Sequence, residues 1–333
     1  MGSPEQDEVR FRKIRLDDRP EIQAISDATW DGEDFLARVF DAWTRDPASH
    51  FLGIEVRGRI VGCGRLLPLD ARRAWLEGLR VHPSAQGRGL GRRMSHHLFR
   101  LGGTLGFEEL YFSTYFENEA SIAIAEAAGF RPVALFSFLE KKLVSAPHAA
   151  PPAEATASGT AIPAADATPW PAADAGARKG AAAHPPSVAA ANAPPAARRE
   201  PGFRSLPGWM ANDWLFLPDD LPDRERWFRR SAVVTDGRLT LVVAENMKFP
   251  ESCLEIAGLE GDPAADPRGC LESAEAEARA RGLAFLHLML PNGWPVEPFR
   301  EFGLRSMERE RDVRLPVLVL TARDSLSDRV NTL

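Results

Sequence analysis

Three glycines at alternate positions, Gly87, Gly89 and Gly91, stand between an apolar strand pattern ending at Val81 and a run of helix-forming residues. A helix N-terminus exposes unpaired N–H groups and a partial positive charge, and glycines ahead of it let an anion approach the backbone closely. Arg88, Arg92 and Arg93 add positive charge to the same stretch. The chemistry these residues suit is the binding of a phosphate-bearing ligand; a tight strand-to-helix turn that merely uses glycine would read the same way. The stretch contains no G-x-x-x-x-G-K-[ST], and it follows a fourth strand rather than opening a first βαβ unit. A nucleotide P-loop and a dinucleotide-binding fold are therefore disfavoured.

Such a loop needs a folded domain to hold it. "VRFRKIRL" alternates as a strand, and "DDRPEIQAISDAT" follows as a helix with an aspartate cap and Ile22 and Ile25 at helical spacing. "GEDFLARVFDAWTRD" puts Phe35, Val39, Phe40 and Trp43 on one helical stripe. Three strands are predicted next, "HFLGIEV", "RIVGCGRLLPL" and "RAWLEGLRV", the first pair joined by a hairpin-like turn. After the glycine loop come the helix "LGRRMSHHLFRLGGTLG", the strand "ELYFSTYF", the short helix "NEASIAIAEAAG" and a closing strand or strand pair, "FRPVALFSFLEKKL". The fold class is α/β, an antiparallel meander feeding a strand-loop-helix unit.

The chain has 333 residues, 44% of them hydrophobic, enough for two domains with cores of their own. Cys63, Cys253 and Cys270 are an odd number at distant spacings with no metal-ligand pattern, so reduced thiols and no metal are expected. The start has no apolar signal region, and no run of about 18 apolar residues occurs, which predicts a cytoplasmic protein with no membrane partner. A net charge of -6 without a basic tail or patch argues against nucleic acid. Between the two folded parts the composition turns to alanine and proline without helical or strand period, and the expected division is 1–144, a linker over 145–201 that is disordered, and 202–333.

"LRVHPSAQGRGLG" resembles the coenzyme A loop of the GNAT acetyltransferase superfamily, with Gln86, Gly89 and Gly91 in the signature and Leu79, Val81 and Pro83 in the strand before it. "NEASIAIAEAAGF" is similar to that family's later helix, with Asn118, Ser121, Gly129 and Phe130 in place. The resemblance extends over about Val9 to Leu143. It implies a GNAT fold, a mixed and mostly antiparallel sheet flanked by helices, and acetyl-CoA as cosubstrate. The diphosphate would lie on the amides of Gln86, Gly87, Arg88, Gly89, Leu90 and Gly91, with Arg92 beside them. The pantetheine arm would pair with the strand at Leu79, Arg80 and Val81, and Asn118 and Ser121 would border it.

Acetyl transfer to an amine needs a base, and Glu77 is the candidate. It interrupts an apolar strand, and strict alternation gives it the same face as Leu79 and Val81. A salt-bridged, half-exposed residue is the competing reading. Many family members carry a general-acid tyrosine seven residues after the asparagine, but that position is Ala125 here. Tyr115 is the candidate in its place, with a packed tyrosine the alternative; His82 lies close by, and His96 and His97 are expected on a solvated helix face.

The second half repeats the order helix, strand, short helix, strand, and "EGDPAADPRG" stands where the first half has its glycine loop. Acidic side chains there would repel a diphosphate. The expectation is a degenerate GNAT-like domain packed on the first as an internal pseudo-dimer. "WDGEDFLARVFDAWTRDP" and "WLEGLRVHP" further resemble the histidine N-acetyltransferase-like proteins, which implies that Trp30, Asp31 and Asp34 border the acceptor pocket. Three functions are then open: N-acetylation of a small-molecule amine such as an amino acid, acetylation of a protein or peptide, and non-catalytic acetyl-CoA sensing.

Overall fold

The computed structural model describes residues 8–143 and 209–321, apart from 213, 219, 223, 250–251 and 307–312. The alanine- and proline-rich stretch 145–201 lies outside the described residues.

In the first half, β1 (Val9–Lys13) leads to α1 (Arg19–Asp27) and α2 (Leu36–Arg45). Pro20 sits in the first turn of α1, where its missing N–H costs nothing. The expected aspartate cap is absent: Asp18 occupies the cap position, but its carboxylate accepts from Arg12 and from the Arg15 N–H, 2.7 Å away. Leu36, Val39, Phe40 and Trp43 bury one face of α2 as their spacing requires. β2 (His50–Val56), β3 (Arg59–Pro68) and β4 (Arg73–Val81) form the antiparallel meander, turned at Arg57-Gly58 with both residues left-handed. Then come α3 (Leu90–Thr104), β5 (Glu109–Ser113), α4 (Glu119–Ala127) and β6 (Arg131–Lys142), the last a single long strand.

The second half opens with a two-stranded ribbon, β7 (Trp209–Asn212) and β8 (Leu215–Pro218), and continues with β9 (Arg229–Thr235), β10 (Leu239–Glu245) and β11 (Cys253–Gly261). It ends with α5 (Arg268–Ala280), β12 (Phe285–Pro291), α6 (Glu297–Glu301), β13 (Arg305–Ser306) and β14 (Arg314–Thr321). The sequence reading did not anticipate β7, β8 or β9.

One sheet runs through both halves in the order β1-β2-β3-β4-β5-β14-β6-β12-β11-β10-β9, with β13 paired to β6 off that path. Among the described residues only β4 with β5 and β11 with β12 pair in parallel. The final strand of each half is exchanged: β14 pairs with β5 of the first half, and β6 pairs with β12 of the second. β6 and β14 meet antiparallel at the centre, with Val317 opposite Ala134. One core cluster therefore spans both halves, and in it Trp75 meets Phe216, Phe136 meets Phe216 and Tyr111 meets Trp209. Aromatic pairs of this kind favour the tilted and edge-on geometries seen here.

Candidate active site

The ladder between β4 and β5 consists of three residue pairs, ending at Trp75 opposite Tyr111. Beyond it the strands diverge, and the edge of β4 from Leu76 to Arg80 faces a wedge closed by Ser113, Thr114, Asn118 and Ser121. A bulge sets this geometry. Between Arg65↔Glu77 and Cys63↔Arg80, β4 contains one residue more than β3, and Gly78 there has φ 67°. A Cβ on Gly78 would lie 2.6 Å from Trp43 Cζ3, so only glycine suits the position.

The bulge also corrects the alternation argument. Leu79 and Val81 pack toward the core that α3 covers, whereas Glu77 and Arg80 point to the other face, into a cavity of about 900 Å³ at the mouth of the wedge. Glu77 therefore faces away from Leu79 and Val81. Its Oε1 accepts from Arg65 Nη1 at 2.6 Å, and Arg65 Nη2 donates to Asp46 at 2.9 Å. The Arg65 guanidinium lies 4.6 Å from the centre of the Trp43 ring, and Arg65 and Asp46 are both 1% exposed. Two carboxylates share one buried cation, so the cluster keeps a net negative charge beside the cavity.

Arg80, expected along the cofactor arm, sends its side chain to the cavity instead. It donates to both oxygens of Asp34 at 3.1 and 3.2 Å and stacks 4.3 Å over Trp30. Asp34 is buried behind this pair and does not line the cavity; Trp30, Asp31, Glu33 and Phe35 do. Trp30, Asp31 and Gly32 are all left-handed in succession, a strained turn for two residues with side chains. Tyr115 lies two residues past β5 at the cavity, edge-on to Trp30 and to Trp214 at 6.5 and 4.6 Å. Trp214, Lys248, Phe249 and Val313 complete the wall from the second half.

At the loop, Gly87 and Gly89 have φ 74° and 70°, and a Cβ on either would meet nothing within 4 Å. These glycines answer to backbone conformation and leave open space above the loop. Gln86 Nε2 turns back to the Val81 carbonyl at 2.9 Å, fixing the loop instead of reaching outward. Leu90 is buried, Gly91 lies in the first turn of α3, and Arg92 is exposed. The first helical N–H to find a carbonyl is that of Arg93, bonded to Gly89, so the amides ahead of it form the positive end of a 15-residue helix. The donor set and the open space above it fit a diphosphate.

Asn118 caps α4 by accepting from Ser121 N and donates to Thr114 Oγ1 at 2.9 Å, so both motif residues brace the far side of the wedge. Ala125 is 1% exposed and brings no hydroxyl. His82 accepts from Ser84 N, a cap for the turn. His96 and His97 are half-buried and packed on Phe99 and Phe11, not on a solvated face, and burial holds both below the ordinary histidine range.

Sequence reasoning missed Gly78, Arg65 with Asp46, and the individual residues of the second-half wall. A glycine inside a strand signals a bulge, and Arg65 within apolar "GCGRLLPL" signals a buried ion partner. The wall residues carry no local signal, because a contact between distant segments leaves none.

Residues 11–130 match the sequence profile of the acetyltransferase (GNAT) family. The first half thus has the GNAT fold. A candidate acetyltransferase of Thermoplasma acidophilum superposes over 94% of this chain and 99% of its own with TM-score 0.55 at 16% identity. One of Pyrococcus horikoshii does so over 94% and 89% with TM-score 0.52 at 11% identity. At these identities the likeness is one of fold, and it runs through both halves. Curated protein sequences give no match.

Proposed function

We propose that the chain transfers the acetyl group of acetyl-CoA to the primary amine of a small molecule, such as an amino acid. The observation that carries this reading is the cavity of about 900 Å³, walled by the segment Trp30–Phe35 on one side and by Trp214, Lys248 and Phe249 on the other. Its volume suits a small ligand. The carboxylates of Asp31, Glu33, Glu77 and Glu117 border it, against Arg80 and Lys248, and Arg80 is already paired with Asp34. Such a site attracts a protonated amine.

When bound, acetyl-CoA supplies the activated acyl thioester. The chain's own residues then have separate tasks. Amides from Gln86 to Gly91, with Arg92, hold the diphosphate, and the open edge of β4 at Leu79 to Val81 offers strand-like hydrogen bonds to the amide arm. Asn118 and Ser121 keep that wedge open at a fixed width. Glu77, held by Arg65, takes the amine proton directly or through water, and Tyr115 is placed on the same cavity to return one to the leaving thiolate.

The second half acts as a degenerate GNAT-like domain in an internal pseudo-dimer. Counted from the first pair of each parallel ladder, Arg73↔Glu109 and Cys253↔Phe285, Ala257 corresponds to Glu77, and Asp266 and Pro267 to Gln86 and Gly87. Asp262 and Asp266 accept from Ala264 and Arg268 N–H at 2.9 and 3.0 Å, so carboxylates already cover the amides a diphosphate would need.

The test is acetyl-CoA-dependent thiol release across free amino acids, other small amines and peptides. Turnover confined to small amines supports the proposal; preference for peptides replaces it with protein acetylation. Because Ala125 leaves the usual acid position bare, binding without turnover on any amine would favour a sensor instead.

A further inference from the structure

The second half contains a buried polar chain that ends on the acceptor wall and that nothing in acetyl transfer itself requires. Its inner end is Glu255 on β11, fully buried in strand register opposite His287 on β12. Glu255 Oε1 meets His287 Nδ1 at 3.0 Å and accepts from Asn246 Nδ2. Asn246 is also fully buried, and its Oδ1 accepts from the N–H groups of Lys248 and Phe249 at 2.8 and 2.6 Å. Asn212, likewise buried, accepts from Met247 N–H at 2.8 Å. Two buried carboxamides therefore hold three successive backbone amides.

Lys248 and Phe249, the outer end of this chain, line the acceptor cavity. The Lys248 ammonium stands 4.4 Å over the Phe35 ring, and Phe249 is covered by the Arg38 guanidinium at 4.8 Å. Both contacts reach the helices that frame the other wall. A carboxamide whose amide group is fixed by a carboxylate cannot flip, so its oxygen stays aimed at the two N–H groups. Burial of polar groups is costly unless they are paired, and here the pairing is spent on the placement of one short loop.

We propose that Asn246, oriented by Glu255, is a positioning residue for acceptor recognition: it fixes the Met247–Phe249 loop so that the second half presents Lys248 and Phe249 to the amine substrate. This rests on the reading of the cavity as the acceptor site.

The test uses the full chain and three variants, Asn246→Ala, Glu255→Gln and Lys248→Met, with three readouts: amide exchange over Met247–Phe249, acceptor KM and kcat, and acetyl-CoA affinity by calorimetry. Asn246→Ala is expected to speed exchange and raise acceptor KM, each about tenfold, with kcat and acetyl-CoA affinity within about twofold. Glu255→Gln, which keeps an acceptor for Asn246 Nδ2, is expected to retain most of the wild-type exchange protection and KM. Unchanged exchange in Asn246→Ala, or fast exchange with wild-type KM, overturns the proposal. Should Asn246→Ala fail to fold, Lys248→Met decides: a rise in acceptor KM of about fivefold or more supports it, and wild-type KM overturns it. A wild-type chain that acetylates no amine refutes the proposed function instead, and the exchange readout then still tests whether the loop is held as described.

Discussion

In the proposed mechanism Glu77 and Gly89 do opposite kinds of work, one through its charge and the other through having no side chain. Glu77→Gln is expected to lower kcat on the order of 10² to 10⁴-fold while leaving acetyl-CoA affinity unchanged, and near wild-type turnover would make the residue structural. Gly89→Glu places a side chain on a left-handed backbone and a negative charge at the helix end, so calorimetry should register loss of acetyl-CoA binding. Arg65→Met leaves the buried Asp46 carboxylate and the half-buried Glu77 without their cation and should cost about 3 to 5 kcal/mol in denaturant unfolding. Burial, opposed by the Arg80 charge, pushes the Cys63 thiol up to about 12, so a thiol reagent at pH 8 should modify it only after unfolding. The loop glycines and Glu77 were legible in the sequence because their types are rare in such positions. The face Glu77 occupies was not, since one extra residue at Gly78 inverts the strand's alternation, and alternation was the whole of that argument.

Elements are where local signals and tertiary structure part company. The stripe on α2 and the strand-loop-helix unit follow from periodicity, which acts within a few residues. β7, β8 and β9 are short or mixed in composition; β7 and β8 pair with each other and β9 with β10, but Trp209 and Phe216 pack against Tyr111 and Trp75, far away in the chain. The pairing of β11 with β12 adds a pH dependence of its own. Burial alone would lower the pKa of His287, but the charge of Glu255 and hydrogen bonds with Cys253 and Glu255 outweigh it and hold the imidazolium well above the ordinary histidine range. Glu140, on β6, faces the same ring at 3.7 Å, and Phe138 covers it edge-on. A raised folded pKa means that this stabilisation is complete below about pH 6.5, the unfolded value, and is lost as pH rises through the folded one. The urea midpoint of the wild type should therefore fall across that upper range more than that of His287→Gln. Parallel curves would show that the pair contributes nothing to stability.

At the scale of the whole molecule, the exchange of β6 and β14 makes the halves inseparable. Residues 1–143 alone would leave β5 and β6 without the strand between them and expose the core residues that Phe216 and Trp209 cover, so this fragment is expected to be insoluble or unfolded. A soluble 1–143 monomer with full-length acetyl-CoA affinity would refute that, and two equivalent binding sites per chain would refute the expected stoichiometry of one. The faint repeat was visible in the order of elements, but nothing local distinguishes strands that close their own sheet from strands traded with a neighbour. The exchange also has a consequence in time. Ser113 waits for Val317, about two hundred residues later, and at roughly 5 to 20 residues per second a ribosome takes about 10 to 40 seconds to supply it. Throughout that interval the emerging chain carries a bare strand edge next to a half-built wedge, which makes nascent chains the form most in need of a chaperone and leaves the proposed acetyl-CoA site among the last parts of the protein to be completed.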